Sequence, residues 1–218
     1  TLYLMLNSGV TVVIPHWKGG GILRHCLDSL ARTAGTSCRV LVVDNGSPDG
    51  SIAVAKEYSN VDVVKSSTNL GFAGGCNLGI RTAKTPYVVL LNNDTEVTPG
   101  WLEPLVERAE TDTRIGAVQP KLLSFHHRTR FDYCGAAGGE IDIFGYPFAR
   151  GRLFSTIEED TGQYDTPSDI FWASGAACLL RRQAVEEGGY FADALFAHQE
   201  QIDLNWRMQL LGYRITVE

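Results

Sequence analysis

Long apolar runs, basic blocks and paired cysteines are all missing from this 218-residue sequence. No stretch approaches the roughly 18 apolar residues of a membrane-spanning helix, so a helical integral membrane protein is not expected. The formal net charge is -6 without any cluster of Lys and Arg, which argues against nucleic acid as the main ligand. Five cysteines (Cys26, Cys38, Cys76, Cys134 and Cys178) stand far apart and form no C-x-x-C pair. Neither a zinc ribbon nor a disulfide framework is indicated, and they read as reduced, mostly buried packing residues of a cytosolic protein. Thr1 to Val13 lacks a basic start and runs into a strand, so it does not read as a signal peptide. The remaining composition, 44% apolar and 20% charged, is that of an ordinary globular chain.

What the sequence does have is two short apolar strands that each run into a polar cluster. Val40-Leu41-Val42-Val43 leads into Asp44-Asn45-Gly46-Ser47-Pro48-Asp49, and Tyr87-Val88-Val89-Leu90-Leu91 into Asn92-Asn93-Asp94. Continuous apolar runs of this length suit strands buried on both faces of a parallel sheet. Open α/β sheets bind ligands at the carboxyl ends of such strands, so a polar, phosphorylated small molecule is expected there.

The spacing elsewhere completes an alternation of strands and helices. It predicts a strand from Val10 to Ile14 stopped by Pro15, a helix from Gly21 to Thr33, and a Ser51-capped helix presenting Ile52, Ala55 and Tyr58. A strand from Val61 to Lys65 and a flexible glycine turn from Leu70 to Gly75 follow, then helices from Cys76 to Ala83 and Trp101 to Ala109. Beyond these come a strand from Ala117 to Leu123, a long loop from Ser124 to Asp169, and a strand from Ala176 to Leu180. A helix from Glu200 to Leu211 and a last strand starting at Tyr213 end the chain. The expected fold class is α/β, with a mostly parallel central sheet flanked by helices.

Five segments, in order, resemble family 2 glycosyltransferases. They are Val10-Thr-Val-Val-Ile-Pro15, Val42-Val-Asp-Asn-Gly-Ser-Pro-Asp-Gly50, Asn69-Leu-Gly-Phe-Ala73 with Asn77, Leu90-Leu-Asn-Asn-Asp94, and Glu200-Gln-Ile-Asp-Leu204. Each is modest alone; together they cover nearly the whole chain, which looks most like bacterial rhamnosyltransferase-type proteins. The resemblance implies a GT-A type fold, a nucleoside-diphosphate-sugar donor, a divalent metal (Mg or Mn) and inversion at the sugar. It also implies further chain after Glu218, so a C-terminal truncation is expected.

The residues agree with that resemblance, and each has a plainer reading. Pro15 and Trp17 would wall a nucleobase. Asp44, with Asn45, Ser47 and Asp49, would bind the nucleoside, Asp44 accepting from an imide N–H or ribose hydroxyls; the plainer reading is that they cap the next helix. Asn69, Gly71, Phe72 and Asn77 would let backbone approach the nucleotide, or simply form a glycine turn. Asn92, Asn93 and Asp94 stand where the family carries its Asp-x-Asp motif. In extended geometry residues 92 and 94 point the same way, so Asn92 and Asp94 are the expected metal ligands, with Asp94 the chief one. An Asn-rich turn is the alternative.

Inverting transfer needs a base for the acceptor hydroxyl, which the resemblance places in an acidic pair at the late helix. Gln201 replaces the second member, so Glu200 is the expected base. Asp203 lies one turn on, where pairing with Arg207 would equally explain it. Trp172, Ser174 and Gly175 resemble the acceptor-side loop, with ordinary packing as the alternative.

The expectation is one catalytic domain over 1–218, with a nucleotide-binding half (1–97) and an acceptor-side half (98–218). It would move a sugar from a UDP- or dTDP-linked donor to a glycan or lipid-linked glycan in cell-surface polysaccharide synthesis. It would work in the cytoplasm, in peripheral association with the inner face of the membrane. The rival is a sugar-nucleotide binding module without turnover, motivated by the amides at Asn92 and Gln201.

Overall fold

The computed structural model describes residues 9–33 and 38–218. Most of the segment read as lacking a leader, residues 1–8, lies outside the described residues. The first half of the sheet is parallel. Strands β1 (Val10–His16), β2 (Arg39–Asn45), β3 (Val61–Ser66) and β4 (Tyr87–Leu91) pair in the order β3-β2-β1-β4. Further along the chain are β5 (Ile115–Gln119), the ribbon of β6 (Gly139–Ile141) and β7 (Pro147–Ala149), and the ribbon of β8 (Arg152–Leu153) and β9 (Thr156–Ile157). Last come β10 (Ser168–Asp169), β11 (Ala177–Arg181) and β12 (Arg214–Val217). β11 inserts antiparallel between β4 and β5, β12 pairs parallel with β5, and β10 closes that edge antiparallel to β12. The result is an eight-stranded, mixed but mostly parallel sheet.

Alternation along the strands sorts the core into two layers, because successive side chains leave opposite faces of the sheet. Val12, Ile14, Val40 and Val42 pack against α1 (Gly20–Arg32), through Leu23 and Leu27. Val13, Val43 and Leu90 pack against α2 (Gly71–Thr82), through Ala73, Cys76 and Ile80. Leu105 and Val106 of α3 (Glu103–Glu110) join the first layer. α4 (Arg182–Glu187) and α5 (Glu200–Leu210) join the second through Val185, Leu204 and Met208. α2 lies so close to β1 that a Cβ on Gly79 would stand 2.2 Å from Val13 Cγ1.

Several local expectations change. β1 does not stop at Pro15 but continues to His16. Its pairing with β4 reaches only Val13, so the missing proline N–H interrupts no bond on that side. Residues Ser51–Glu57 form a 3₁₀-helix behind a left-handed Gly50, and Ser51 makes no cap; its hydroxyl donates back to Asp49. The glycine turn is the first part of α2, entered through Gly71 at φ +74°. The long loop carries the two ribbons, whose strands of two or three residues are too short for any periodicity. Cys26, Cys38, Cys76 and Cys178 are buried free thiols, while Cys134 is exposed. Among the described residues, no helix is long and apolar enough to cross a membrane.

Candidate active site

Parallel pairing of β1, β2 and β4 brings their carboxyl ends to one edge of the sheet, and a cleft of about 410 Å³ opens there. Eight of the residues singled out in the sequence line it: Pro15, Trp17, Asn45, Asn69, Gly71, Phe72, Asn92 and Asn93. His16, Lys18 and Phe196 complete the lining. Trp17 is 44% exposed, a free aromatic face, with Lys18 Nζ 3.9 Å from its centroid.

Asn45 fixes the cleft's shape. Its Nδ2 donates to Asn69 Oδ1 (3.1 Å) and to the Gly71 carbonyl (2.9 Å), and its Oδ1 accepts from the Leu70 N–H (2.9 Å). Both ends of the amide are thereby used, and the start of α2 is tied to the end of β2.

Other expected nucleotide contacts stand outside this lining and are engaged within the protein. Asp44 accepts from the Ser47 N–H at 2.9 Å and lies 3.7 Å from Lys65 Nζ. Asp49 accepts from the Gly19 N–H, the Ser51 N–H and the Ser51 hydroxyl. Those bonds, that of the Ser51 hydroxyl foremost, bring its carboxyl down to about 2. Both acids therefore have the geometry of turn caps, and Ser47 Oγ is buried with no partner among the described residues. Asn77 is buried, with Nδ2 donating to the Phe191 carbonyl and Asp193 Oδ1 and Oδ1 accepting from the Phe191 N–H. It anchors the loop that carries Phe196 over the cleft.

Phe196 and His16 were missed in the sequence. Phe196 sits at φ +54°, one of four non-glycine residues between 190 and 199 in the left-handed region, along with Tyr190, His198 and Gln199. Its carbonyl accepts from the Ala73 N–H, and a Cβ at Gly71 would stand 2.5 Å from that oxygen. Only glycine fits there, on grounds of both φ and space. His16 is 1% exposed; its Nε2 lies 2.6 Å from Ser51 Oγ and its Nδ1 2.8 Å from Asn93 Nδ2. Desolvation lowers its pKa, against the opposing pull of Asp49 and Asp44.

The turn after β4 is closed by the Thr95 N–H donating to the Asn92 carbonyl, and it leaves Asp94 exposed. Among the described residues no group of three or more His, Cys, Asp or Glu forms a metal cage. Because residues 92–95 turn, the extended geometry expected to align Asn92 with Asp94 does not hold, and Asp94 is not among the cleft-lining residues. Its carboxylate and the neighbouring amide oxygens are nevertheless of the kind that Mg²⁺ or Mn²⁺ takes. These hard ions take one or two carboxylates and amide oxygens and complete their shell with diphosphate oxygens and water.

On α5 the two neighbours part company. Glu200 is 2% exposed, outside the cleft lining, with Oε2 unpartnered among the described residues and its pKa raised by burial. Gln201, also outside the cleft lining, lies beside Gly175: a Cβ on Gly175 would stand 2.6 Å from Gln201 Nε2 and 3.1 Å from the Phe72 ring. Asp203 pairs with Arg207 at 2.6 Å. Trp172 Nε1 donates to the Glu140 carbonyl, and Ser174 donates through Oγ to the Cys134 carbonyl and through N–H to Gln119 Oε1. Of the three acceptor-side candidates, only Gly175 meets a residue of the cleft wall.

A model of glycosyl transferase family 2 matches residues 11–189. The chain belongs to that family. N-acetylglucosaminyl-diphospho-decaprenol L-rhamnosyltransferase of Mycobacterium tuberculosis is 28% identical to this family 2 chain, over 95% of the chain and 73% of the relative. Poly-beta-1,6-N-acetyl-D-glucosamine synthase of Staphylococcus aureus is 24% identical over 97% of the chain, which spans 48% of that relative. Among solved structures, GalNAc-T7 with UDP, GalNAc and Mn²⁺ matches with a TM-score of 0.75 at 16% identity, over 96% of this chain and 42% of that one. A mannosyltransferase of Pyrobaculum calidifontis in complex with GDP-Man and Mn²⁺ matches with a TM-score of 0.67 at 18% identity, over 97% of this chain and 57% of that one. At such identities the structural likeness establishes the glycosyltransferase fold.

Proposed function

We propose that this domain binds a UDP- or dTDP-linked sugar and transfers the sugar, with inversion, to a hydroxyl of a glycan or lipid-linked glycan acceptor in cell-surface polysaccharide synthesis. The observation that carries this reading is the cleft at the ends of β1, β2 and β4, walled by Trp17, Phe72 and Phe196 and ending at the amides of Asn92 and Asn93. Asp94 and Asn92 would hold a divalent cation, which when bound neutralises charge on the leaving diphosphate. A lipid-linked acceptor is supported by the mycobacterial relative, whose name specifies a decaprenol-linked one. It would set the domain to work at the inner face of the membrane.

Acceptor activation is where this chain is weak. Glu200 is withdrawn into the protein, and the residue beside Gly175 is the amide Gln201, which cannot take a proton. Proton removal is then the slow step. That same amide favours a second reading, a donor-binding module without turnover. Calorimetric titration with UDP and dTDP, with and without Mn²⁺, tests the donor site: metal-dependent binding of one nucleotide supports it, and no binding by the folded protein sinks it. Donor binding without product, persisting after Gln201→Glu, selects the binding module.

A further inference from the structure

His16 takes no part in the chemistry above, yet it is a buried imidazole with both ring nitrogens engaged. Its hydrogen bonds have one consistent direction. Asp49 is held ionised and accepts only, so the single hydroxyl proton of Ser51 is directed to Asp49 Oδ1 at 2.5 Å. Ser51 Oγ then faces His16 Nε2 as an acceptor, and Nε2 carries the ring proton at 2.6 Å. A neutral imidazole has one N–H, so Nδ1 presents a lone pair and accepts from Asn93 Nδ2 at 2.8 Å. Burial keeps the ring neutral. The relay therefore commits one of the two N–H donors of Asn93 to the protein and fixes which way round its amide sits.

We infer that His16 is a positioning residue: through the Asp49–Ser51–His16 relay it turns the Asn93 amide so that Oδ1 faces the cleft and accepts a hydroxyl of the donor. This rests on the donor reading of the cleft. An acceptor oxygen placed there can be satisfied by a hydroxyl, on the ribose or on the sugar, and not by a phosphate oxygen, which has no proton to give. The sequence gives no hint of the relay, since Ser51 is 35 residues from His16 and Asn93 is 77 away.

The test has two independent arms. In ¹⁵N-labelled full chain, long-range ¹H–¹⁵N NMR at pH 7.5 is expected to show His16 as the neutral Nε2–H tautomer, with the Nδ1–H form rising in Ser51→Ala. A wild-type Nδ1–H tautomer or imidazolium overturns the orientation. In titrations of UDP and UDP-glucose with Mn²⁺, His16→Phe is expected to lose about tenfold in affinity, the scale of one misdirected hydrogen bond. His16→Gln, which keeps one donor and one acceptor, is expected to recover to within about threefold. Equal loss for both probes puts the hydroxyl on the ribose, and loss confined to UDP-glucose puts it on the sugar. His16→Phe binding both as the wild type does overturns the inference. Failure of the wild type to bind either probe overturns the donor reading and the hydroxyl contact together, while the tautomer still judges the orientation by itself.

Discussion

The two halves of the sheet use their polar residues in different ways. Around β1, β2 and β4 the chain brings Asn45, Asn69, Asn92, Asn93 and His16 to one edge, and the amides that fix each other also form the wall of the cleft. Around β11 and α5 the candidate polar groups turn inward: Ser174 to Cys134 and Gln119, Trp172 to Glu140, Asp203 to Arg207, and Glu200 into the protein, its Oε2 unpartnered among the described residues. The first arrangement is preorganised for a ligand, since its hydrogen bonds are already made. The second is preorganised for folding, and of its candidates only Gly175 comes close to a residue of the cleft wall, Phe72. The residues proposed for the donor thus share one cleft, while those proposed for the acceptor do not.

The largest effect that would break this contrast lies at position 201. Gln201→Glu restores a carboxylate beside Gly175, and general-base catalysis contributes about 10²- to 10⁴-fold. Transfer of labelled sugar is expected to rise by about a hundredfold with donor affinity unchanged. An unchanged rate would show that the missing base is not what limits this half. On the donor side, Asp94→Ala removes the chief expected metal ligand. Mn²⁺-dependent binding of UDP or dTDP is expected to fall by about 10- to 100-fold, while any metal-free binding stays as it was. Equal loss with and without metal would move Asp94 from the cation to the nucleotide itself.

A smaller effect tests whether the donor wall depends on close packing beneath it. Gly79→Ala would place a methyl 2.2 Å from Val13 Cγ1, and overpacking of this kind costs about 1–3 kcal/mol. A lowered denaturant midpoint is expected, with weaker nucleotide binding because α2 carries Gly71 and Phe72 into the cleft. Full affinity at reduced stability would mean that the cleft is held by Asn45 rather than by the helix seat.

The same contrast governs what could be read from the sequence. The buried strands declare themselves as apolar runs, and seven cleft residues lie in the motifs, with Trp17 just beyond the first. Asp44 and Asp49 are ambiguous in the sequence because the side chains suited to binding a nucleoside are also those that cap turns, and the structure shows their capping bonds. Pro15 reads locally as a stop, but β1 continues to His16 because its pairing with β2 does, and that length is not a local property. His16 and Phe196 were invisible for a related reason. A buried histidine and an exposed phenylalanine carry no periodic signal, and their roles come from partners far along the chain. On α5 the sequence order Glu200-Gln201 says which residue can ionise but not which one is buried and which lies beside Gly175.

That last point gives the smallest and most specific prediction. Burial raises the pKa of Glu200 in the folded state above its unfolded value, so the native protein holds that proton more tightly than the unfolded chain does. The stabilisation is fully present below the unfolded carboxyl range, about 4.3, and is lost as pH rises through the raised folded value. Near neutral pH a charged Glu200 is then a liability that Glu200→Gln removes. The variant is expected to melt about 2–4 °C higher at pH 7.5, the shift that corresponds to roughly 1 kcal/mol in a chain of this size, and to match the wild type at pH 4. Its transfer rate is expected to be unchanged, since the side chain is buried in the protein. A rise of the same size at both pH values would assign the effect to packing rather than charge. A drop at pH 7.5 together with lost transfer would return Glu200 to the role of base and make the acceptor half as preorganised for chemistry as the donor half.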